Sequence, residues 1–340
     1  MQRLAVILVL ACLAGGWRPV QAPVPVAPVA PLPPPFDEWI IGVRAEAEAR
    51  GIRPEILDEA FTGIQPVAQI LDRDRSQAEF TLDLDAYLRR RLTTAMVRTA
   101  QQMYGTHRVL LKRVGAQFGV DPRIVVAVWG LESNFGRFAG VRPTIPTLAT
   151  LAYDPRRGPM FRSELLDALE ILNRGDIDIA RLKGSWAGAL GQPQFMPSSY
   201  LQFAQDFDGD GRRDIWGSLP DVFASVAYYL QQHGWTDGAA WGREVTIPAA
   251  SRARIGAIPV RDEGCRAERM MTAPAPLAEW QRLGLRTASG APLPAGAAAA
   301  SLLQAGRRSF LLYGNYDALL AYNCAHTYTL SVGLLADRLR

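Results

Sequence analysis

Asp121-Pro-Arg-Ile-Val-Val-Ala-Val-Trp-Gly-Leu-Glu-Ser-Asn-Phe-Gly136 is the stretch whose reading decides the fold, because an apolar helix runs here into a single carboxylate, Glu132. Asp121 suits an N-cap, Pro122 the first helical position and Gly136 a helix stop. Val128 lies four residues before Glu132 and Val125 seven, so at helical spacing the carboxylate shares a face with buried aliphatics. Desolvation there disfavours the anion and raises the pKa, which suits a general acid working near neutral pH. The spacing alone leaves a second reading open, in which Glu132 emerges to solvent as the helix ends or pairs with a nearby arginine.

Outward from this stretch, the chain is an ordinary globular one: 340 residues, 49% hydrophobic and 21% charged, enough for a large core and more than one subdomain. Residues 1–22 have the basic start, apolar run and small-residue end of a cleaved secretory signal peptide, with a run too short to span a bilayer comfortably. Val9-Leu-Ala-Cys12 is a second-ranked alternative, a lipoprotein acylation site. Residues 23–35 alternate proline with valine and alanine and read as an extended tether. Once Cys12 leaves with the leader, Cys265 and Cys324 remain, and in an oxidising compartment a disulfide between them is the natural expectation, against two unpaired thiols. The net charge of +4 supports a mild attraction to anionic partners, and no long basic run suggests nucleic acid.

The folded region is expected to be α+β and mainly α. Helical patterns cover Phe36 to Arg50, Pro54 to Phe61, Leu84 to Tyr104, His107 to Phe118, Met160 to Asn173, Ser199 to Phe203 and Pro220 to His233, with an extended connection at Gln77 to Thr81. Residues 36–240 therefore form a helical region. Residues 241–306 form a small mixed β subdomain holding Cys265, with β-prone pieces at Glu244 to Ile247 and Ile255 to Val260. Residues 307–340 return to the body through a helix from Tyr322 to Leu339.

Two further stretches carry chemistry. Lys183 to Tyr200 combines glycines, Gln192, Gln194, Trp186 and Phe195, a surface that suits sugars, although a glycine-rich packing turn would read the same way. Asp206-Phe-Asp-Gly-Asp-Gly-Arg-Arg-Asp214 has carboxylates at positions 1, 3 and 5 and glycine at 6 of an EF-hand loop, with the Arg212 carbonyl at 7. Position 12 is Gly217 where a bidentate Glu is usual, so Asp214 or Asp221 would have to close the site around Asp206, Asp208 and Asp210. The alternative is an Asp/Gly turn without metal. No nucleophile elbow, zinc cluster or phosphate loop is present, and His107, His233 and His326 are not spaced as metal pairs.

With these residues in view, the chain resembles the membrane-bound lytic murein transglycosylase B family, glycoside hydrolase family 103. The resemblance runs from about Phe36 to the C-terminus. It rests on Val-Trp-Gly-Leu-Glu-Ser-Asn-Phe-Gly136, Pro155-Arg-Arg157, Gly184-Ser-Trp-Ala-Gly-Ala-Leu-Gly, Gln194-Phe-Met-Pro-Ser-Ser199, the Asp206 loop, Ser225-Val-Ala-Tyr-Tyr229 and Tyr322-Asn323, together and in order. It implies a lysozyme-like core with an additional helical region, and peptidoglycan glycan strands as substrate. Glu132 would be the sole acid/base and cleavage would yield 1,6-anhydro-MurNAc ends. Ser185, Gln194, Tyr229, Asn323 and Tyr328 would line the cleft, with Arg156 and Arg157 near its peptide-bearing end. Calcium in the Asp206 loop would be structural, catalysis would need no cofactor, and the protein would be a periplasmic monomer able to associate with cell-wall synthesis machinery. Gln192-Pro193 departs from the Tyr-Gly of a well-studied relative. A hydrolytic muramidase on the same core and a non-catalytic peptidoglycan-binding protein are the competing readings.

Overall fold

The computed structural model describes residues 34–70, 83–296 and 298–339. The expected leader with Cys12, most of the expected tether and the expected connection at Gln77 to Thr81 lie outside the described residues.

The helix Pro122–Ser133 is the axis of the body. The Asp121 side chain caps it, accepting from the Arg123 backbone N–H at 2.8 Å, and Asn134 ends it in the left-handed conformation. Every residue from Ile124 to Leu131 is buried, so the helix is enclosed on all sides rather than on one stripe. Helices Thr94–Thr106, Arg108–Phe118, Leu219–Gln232 and His326–Ala336 pack around it. Outside them, Thr144–Tyr153 and Gly158–Asn173 pair, and Phe36–Ala49 and Pro54–Phe61 lean on Gly158–Asn173. Among the described residues no helix is long and apolar enough to cross a membrane.

Local chemistry moves some expected boundaries. The helical pattern from Leu84 breaks into Leu84–Arg91 and Thr94–Thr106, because the Thr93 hydroxyl accepts from the Met96 N–H at 3.1 Å and starts a second helix. Ile255 to Val260, expected to be extended, opens as the last part of a short helix Arg252–Gly256 that buries Ile255. The single C-terminal helix expected from Tyr322 is two, Gly314–Tyr322 and His326–Ala336, separated by Asn323 and Ala325 in extended conformations.

A five-stranded sheet with order β4-β6-β7-β3-β5 covers the mixed region: β3 is Gly242–Thr246, β4 Ala275–Pro276, β5 Arg286–Thr287, β6 Ala299–Ala305 and β7 Arg308–Leu312. Gly306, with φ 63°, turns the β6–β7 hairpin, in which Leu303 faces Phe310 across the ladder. The expected boundary at residue 306 therefore falls inside a hairpin, and the sheet runs on to Leu312. Trp280, Leu277, Leu285, Leu302 and Leu311 form its own apolar core. A two-stranded ladder, β1 (Arg142–Pro143) with β2 (Lys183–Gly184), ties the segment after Glu132 to the glycine-rich stretch.

Candidate active site

Glu132 sits half-buried on the last turn of the enclosed helix, and the chain then turns sharply. Asn134, Phe135 and Gly136 all have positive φ, 50°, 60° and 81°. Two non-glycine residues in succession there store strain that only a firm surround can hold, a pattern found at functional sites. The surround is visible: the Phe135 ring lies edge-on to Trp129 at 5.3 Å. Arg91 donates from Nη2 to the Leu131 carbonyl at 2.6 Å, pinning the helix end.

Three tyrosines gather on the other side. The Tyr328 hydroxyl is buried with no hydrogen-bond partner of standard geometry, and it faces Glu132. Burial first, and then the negative charge of Glu132, hold the Tyr328 and Tyr322 hydroxyls well above the usual tyrosine range. Both tyrosines therefore stay protonated beside Glu132. Tyr322 donates to the Pro193 carbonyl at 2.7 Å, joining the C-terminal wall to the glycine-rich stretch. Tyr87, buried on Leu84–Arg91, is the third and acts electrostatically on Tyr328. A cavity of about 260 Å³ opens beside Glu132, lined also by Arg90, Arg91, Met96, Asn134 and Phe138. Among the described residues, Glu132 is the one carboxylate lining it.

The other residues expected to line a cleft, none of which lines that cavity, are placed as follows. The Ser185 hydroxyl oxygen accepts from the Ala187 and Ala189 N–H groups at 3.2 and 3.1 Å, which leaves its proton to donate. Gln194 is held at φ 56°, and its Nε2 donates to the Gly191 carbonyl at 2.8 Å. The Tyr229 hydroxyl donates to the Ala321 carbonyl at 2.8 Å; burial pushes its pKa up to about 12, and its ring stacks on His233 and meets Tyr322 edge-on. Asn323 lies half-buried between the two C-terminal helices, its carbonyl accepting from Ala325 N at 2.7 Å. Cys324, next to it, is joined to Cys265 in a disulfide, as expected. Arg156 and Arg157 are exposed at the start of Gly158–Asn173, outside the lining of the Glu132 cavity; Arg156 grips Asp154 at 2.6 Å and Arg157 lies over Phe161.

In the Asp206 loop, carboxylate oxygens of Asp206, Asp208 and Asp210 lie within 4.8 Å of one another, and all three residues are exposed. Such hard oxygen donors suit calcium. Asp206 also accepts from the Gly209 and Gly211 N–H groups, and Asp210 from Arg212 N, so the loop keeps its shape by its own backbone. Asp221 is elsewhere: it is buried, and its two oxygens accept from Phe207 N and Asp214 N at 2.8 and 2.9 Å. Burial pushes its carboxyl up to about 6 in spite of those donors. Asp214 accepts from Trp216 N and Gly217 N. Asp221 therefore clamps the two ends of the loop and does not join the triad.

Sequence reasoning missed Tyr87, Arg90, Arg91 and Phe138. They reach the site from a helix and a loop with no motif of their own, and the three consecutive arginines Arg89 to Arg91 were their faintest signal.

Comparison with known proteins follows the same line. The family described as Transglycosylase SLT domain matches residues 35–337. Membrane-bound lytic murein transglycosylase B of Escherichia coli (strain K12) is 39% identical over 153 residues, 45% of this chain and 42% of that protein, so the match spans less than half of that relative's length. The crystal structure of SltB3 from Pseudomonas aeruginosa in complex with NAG-anhNAM-pentapeptide superposes with TM-score 0.81 at 43% identity, covering 89% of this chain and 78% of that one. The Escherichia coli lytic transglycosylase Slt35 in complex with calcium superposes with TM-score 0.73 at 26% identity, covering 89% and 92%.

Proposed function

Since the chain belongs to the transglycosylase SLT domain family, we propose that it is a lytic transglycosylase that cleaves the MurNAc-GlcNAc β-1,4 bond of peptidoglycan without water. The observation that carries this reading is that, among the described residues, Glu132 is the one carboxylate lining its cavity, with the Tyr328 and Tyr322 hydroxyls close enough to feel its charge. Hydrolytic glycosidases generally need two carboxylates, one for the leaving group and one for water or the sugar carbon. One suffices when the nucleophile is the substrate's own hydroxyl. Glu132 protonates the glycosidic oxygen as the bond from C1 of MurNAc breaks. The resulting carboxylate then takes the proton from the C6 hydroxyl of the same sugar, whose oxygen bonds to C1. The 1,6-anhydro ring forms, and Glu132 ends protonated, ready for another turnover.

Ser185, Gln194, Asn323 and Tyr328 line the saccharide cleft in this reading, Tyr229 braces its wall, and Arg156 and Arg157 meet peptide stems at one end. Asp206, Asp208 and Asp210, with the Arg212 carbonyl, hold calcium that neutralises three converging charges and stiffens the loop. The leader supports a periplasmic location. Mass spectrometry of sacculi digested with the mature protein tests the reaction: anhydro ends are expected, and reducing ends would establish a muramidase instead.

A further inference from the structure

Gln192 belongs to the glycine-rich stretch and is buried in it between two tryptophans. It is only 8% exposed, and its amide is used in two directions. Oε1 accepts from Trp129 Nε1 at 2.7 Å, and Nε2 donates to the Trp216 carbonyl at 2.8 Å. Its backbone N–H adds a bond to the Ile215 carbonyl at 2.9 Å. A buried indole N–H needs an acceptor, and a buried primary amide needs both a donor and an acceptor, so each partner here satisfies the others.

The space around the amide is closed by glycines. A Cβ at Gly136 would lie 2.5 Å from Gln192 Oε1, and one at Gly191 would lie 2.7 Å from the Ile215 carbonyl oxygen. Gly136 ends the strained turn after Glu132, while Trp129 is on the same helix one turn before it. At the far end, Trp216 follows Asp214, whose carboxylate receives the Trp216 N–H at 2.9 Å. The amide thus stands between the terminal turn of the Glu132 helix and the segment that closes the Asp206 loop.

We infer that Gln192 is a positioning residue for Glu132, clamping the last turn of its helix to the exit of the Asp206 loop without touching sugar. This rests on the transglycosylase reading above. Proton delivery to a glycosidic oxygen demands a fixed donor position, and small misplacements cost rate rather than binding. Methionine at this position keeps the length and removes both hydrogen bonds.

The test is steady-state kinetics on soluble glycan strands with Gln192→Met, Trp129→Phe and the double variant, beside melting curves and amide hydrogen exchange over residues 129–135. Each single variant should melt cooperatively, lower kcat about tenfold or more, leave KM within about twofold and exchange faster over that segment. The double variant should lose no more than the worse single, because the Trp129–Gln192 bond is already lost in each. Unchanged kcat in a folded variant, a loss confined to KM, or losses that multiply would each overturn the clamp. Should Gln192→Met fail to fold, Trp129→Phe decides alone. Hydrogen exchange separates this inference from the function it rests on: a wild type that releases no anhydro sugar overturns the function, whereas unaltered protection over residues 129–135 overturns the clamp.

Discussion

The Glu132 helix and the Asp206 loop both present carboxylates, and they are held in opposite ways. Glu132 is, among the described residues, the one carboxylate lining its cavity, half-buried at the end of a helix whose neighbours close around it on every side. Asp206, Asp208 and Asp210 are together, exposed, and kept in shape by N–H groups of their own loop. A single carboxylate beside buried tyrosines has no neighbouring anion to repel it, whereas convergence in the open makes three carboxylates repel until a cation joins them. Between these extremes lies the segment from Asn323 to Tyr328, which runs from a half-buried Asn323 through an exposed Cys324 to a buried Tyr328 and is fastened by a disulfide as well as by packing.

The sharpest way to break the comparison is to take the proton from the enclosed carboxylate. Glu132→Gln keeps volume and packing, so the melting temperature should stay close to that of wild type. Turnover of sacculi should fall by roughly 10²–10⁴-fold or more, since one group serves as acid and then base. Activity within a few-fold of wild type would remove Glu132 from the mechanism.

Next comes the wall. Cys265 and Cys324 are 59 residues apart, and closing such a loop stabilises by about 4 kcal/mol in the chain-entropy model. A Cys265→Ala, Cys324→Ala variant should therefore melt well below wild type, and its activity should fall further than its folded fraction, because Asn323 and Tyr328 flank the bridge. Equal melting curves would mean that packing alone holds the wall. Free thiols on alkylation of non-reduced, denatured wild-type protein would refute the bridge itself.

The open loop should respond to metal where the helix does not. Calcium at about 100 times its dissociation constant stabilises by roughly 2.7 kcal/mol, and Gly217 in place of the closing Glu suggests an affinity of about 10⁻⁴–10⁻³ M. Melting in millimolar calcium against EDTA should separate for wild type and coincide for Asp206→Ala with Asp210→Ala. Coincidence in wild type would leave the loop as an Asp/Gly turn.

A further effect is expected of pH on the segment from Asn323 to Tyr328. His326 donates or accepts at Nδ1 with the Tyr316 hydroxyl at 2.9 Å, and burial lowers its pKa from 6.5 to about 4. The folded state therefore resists a proton that the unfolded chain takes up, so stability is lost as pH falls from 6.5 to about 4. Melting temperature should drop across that window, and His326→Gln should flatten the drop relative to wild type. Parallel pH profiles would assign the slope to carboxylates instead.

Legibility tracked how local the signal was. The Glu132 helix was readable because Asp121, Pro122 and the run of aliphatics act on their own neighbours, and the Asp206 loop because its spacing is a ligand geometry in itself. Arg252–Gly256 was misread because β-prone composition says little when a single Ile255 buries into the sheet's core. The break at Asn323 was misread because a tertiary constraint, the disulfide, interrupts an otherwise helical pattern.

By itself the sequence determined the elements and their chemistry: a capped apolar helix ending in one acid, an acidic cation-type loop, two cysteines suited to a bridge, and a family resemblance spanning most of the chain. Only the tertiary structure decided which groups meet. Arg91 and Tyr328 come to Glu132 from distant segments, Asp221 goes to the loop ends and not to the triad, and Gln192 turns inward between two tryptophans. Caps and periodicity are settled within a few residues of chain, but the direction of a buried amide or hydroxyl depends on which partner the packed fold leaves within reach.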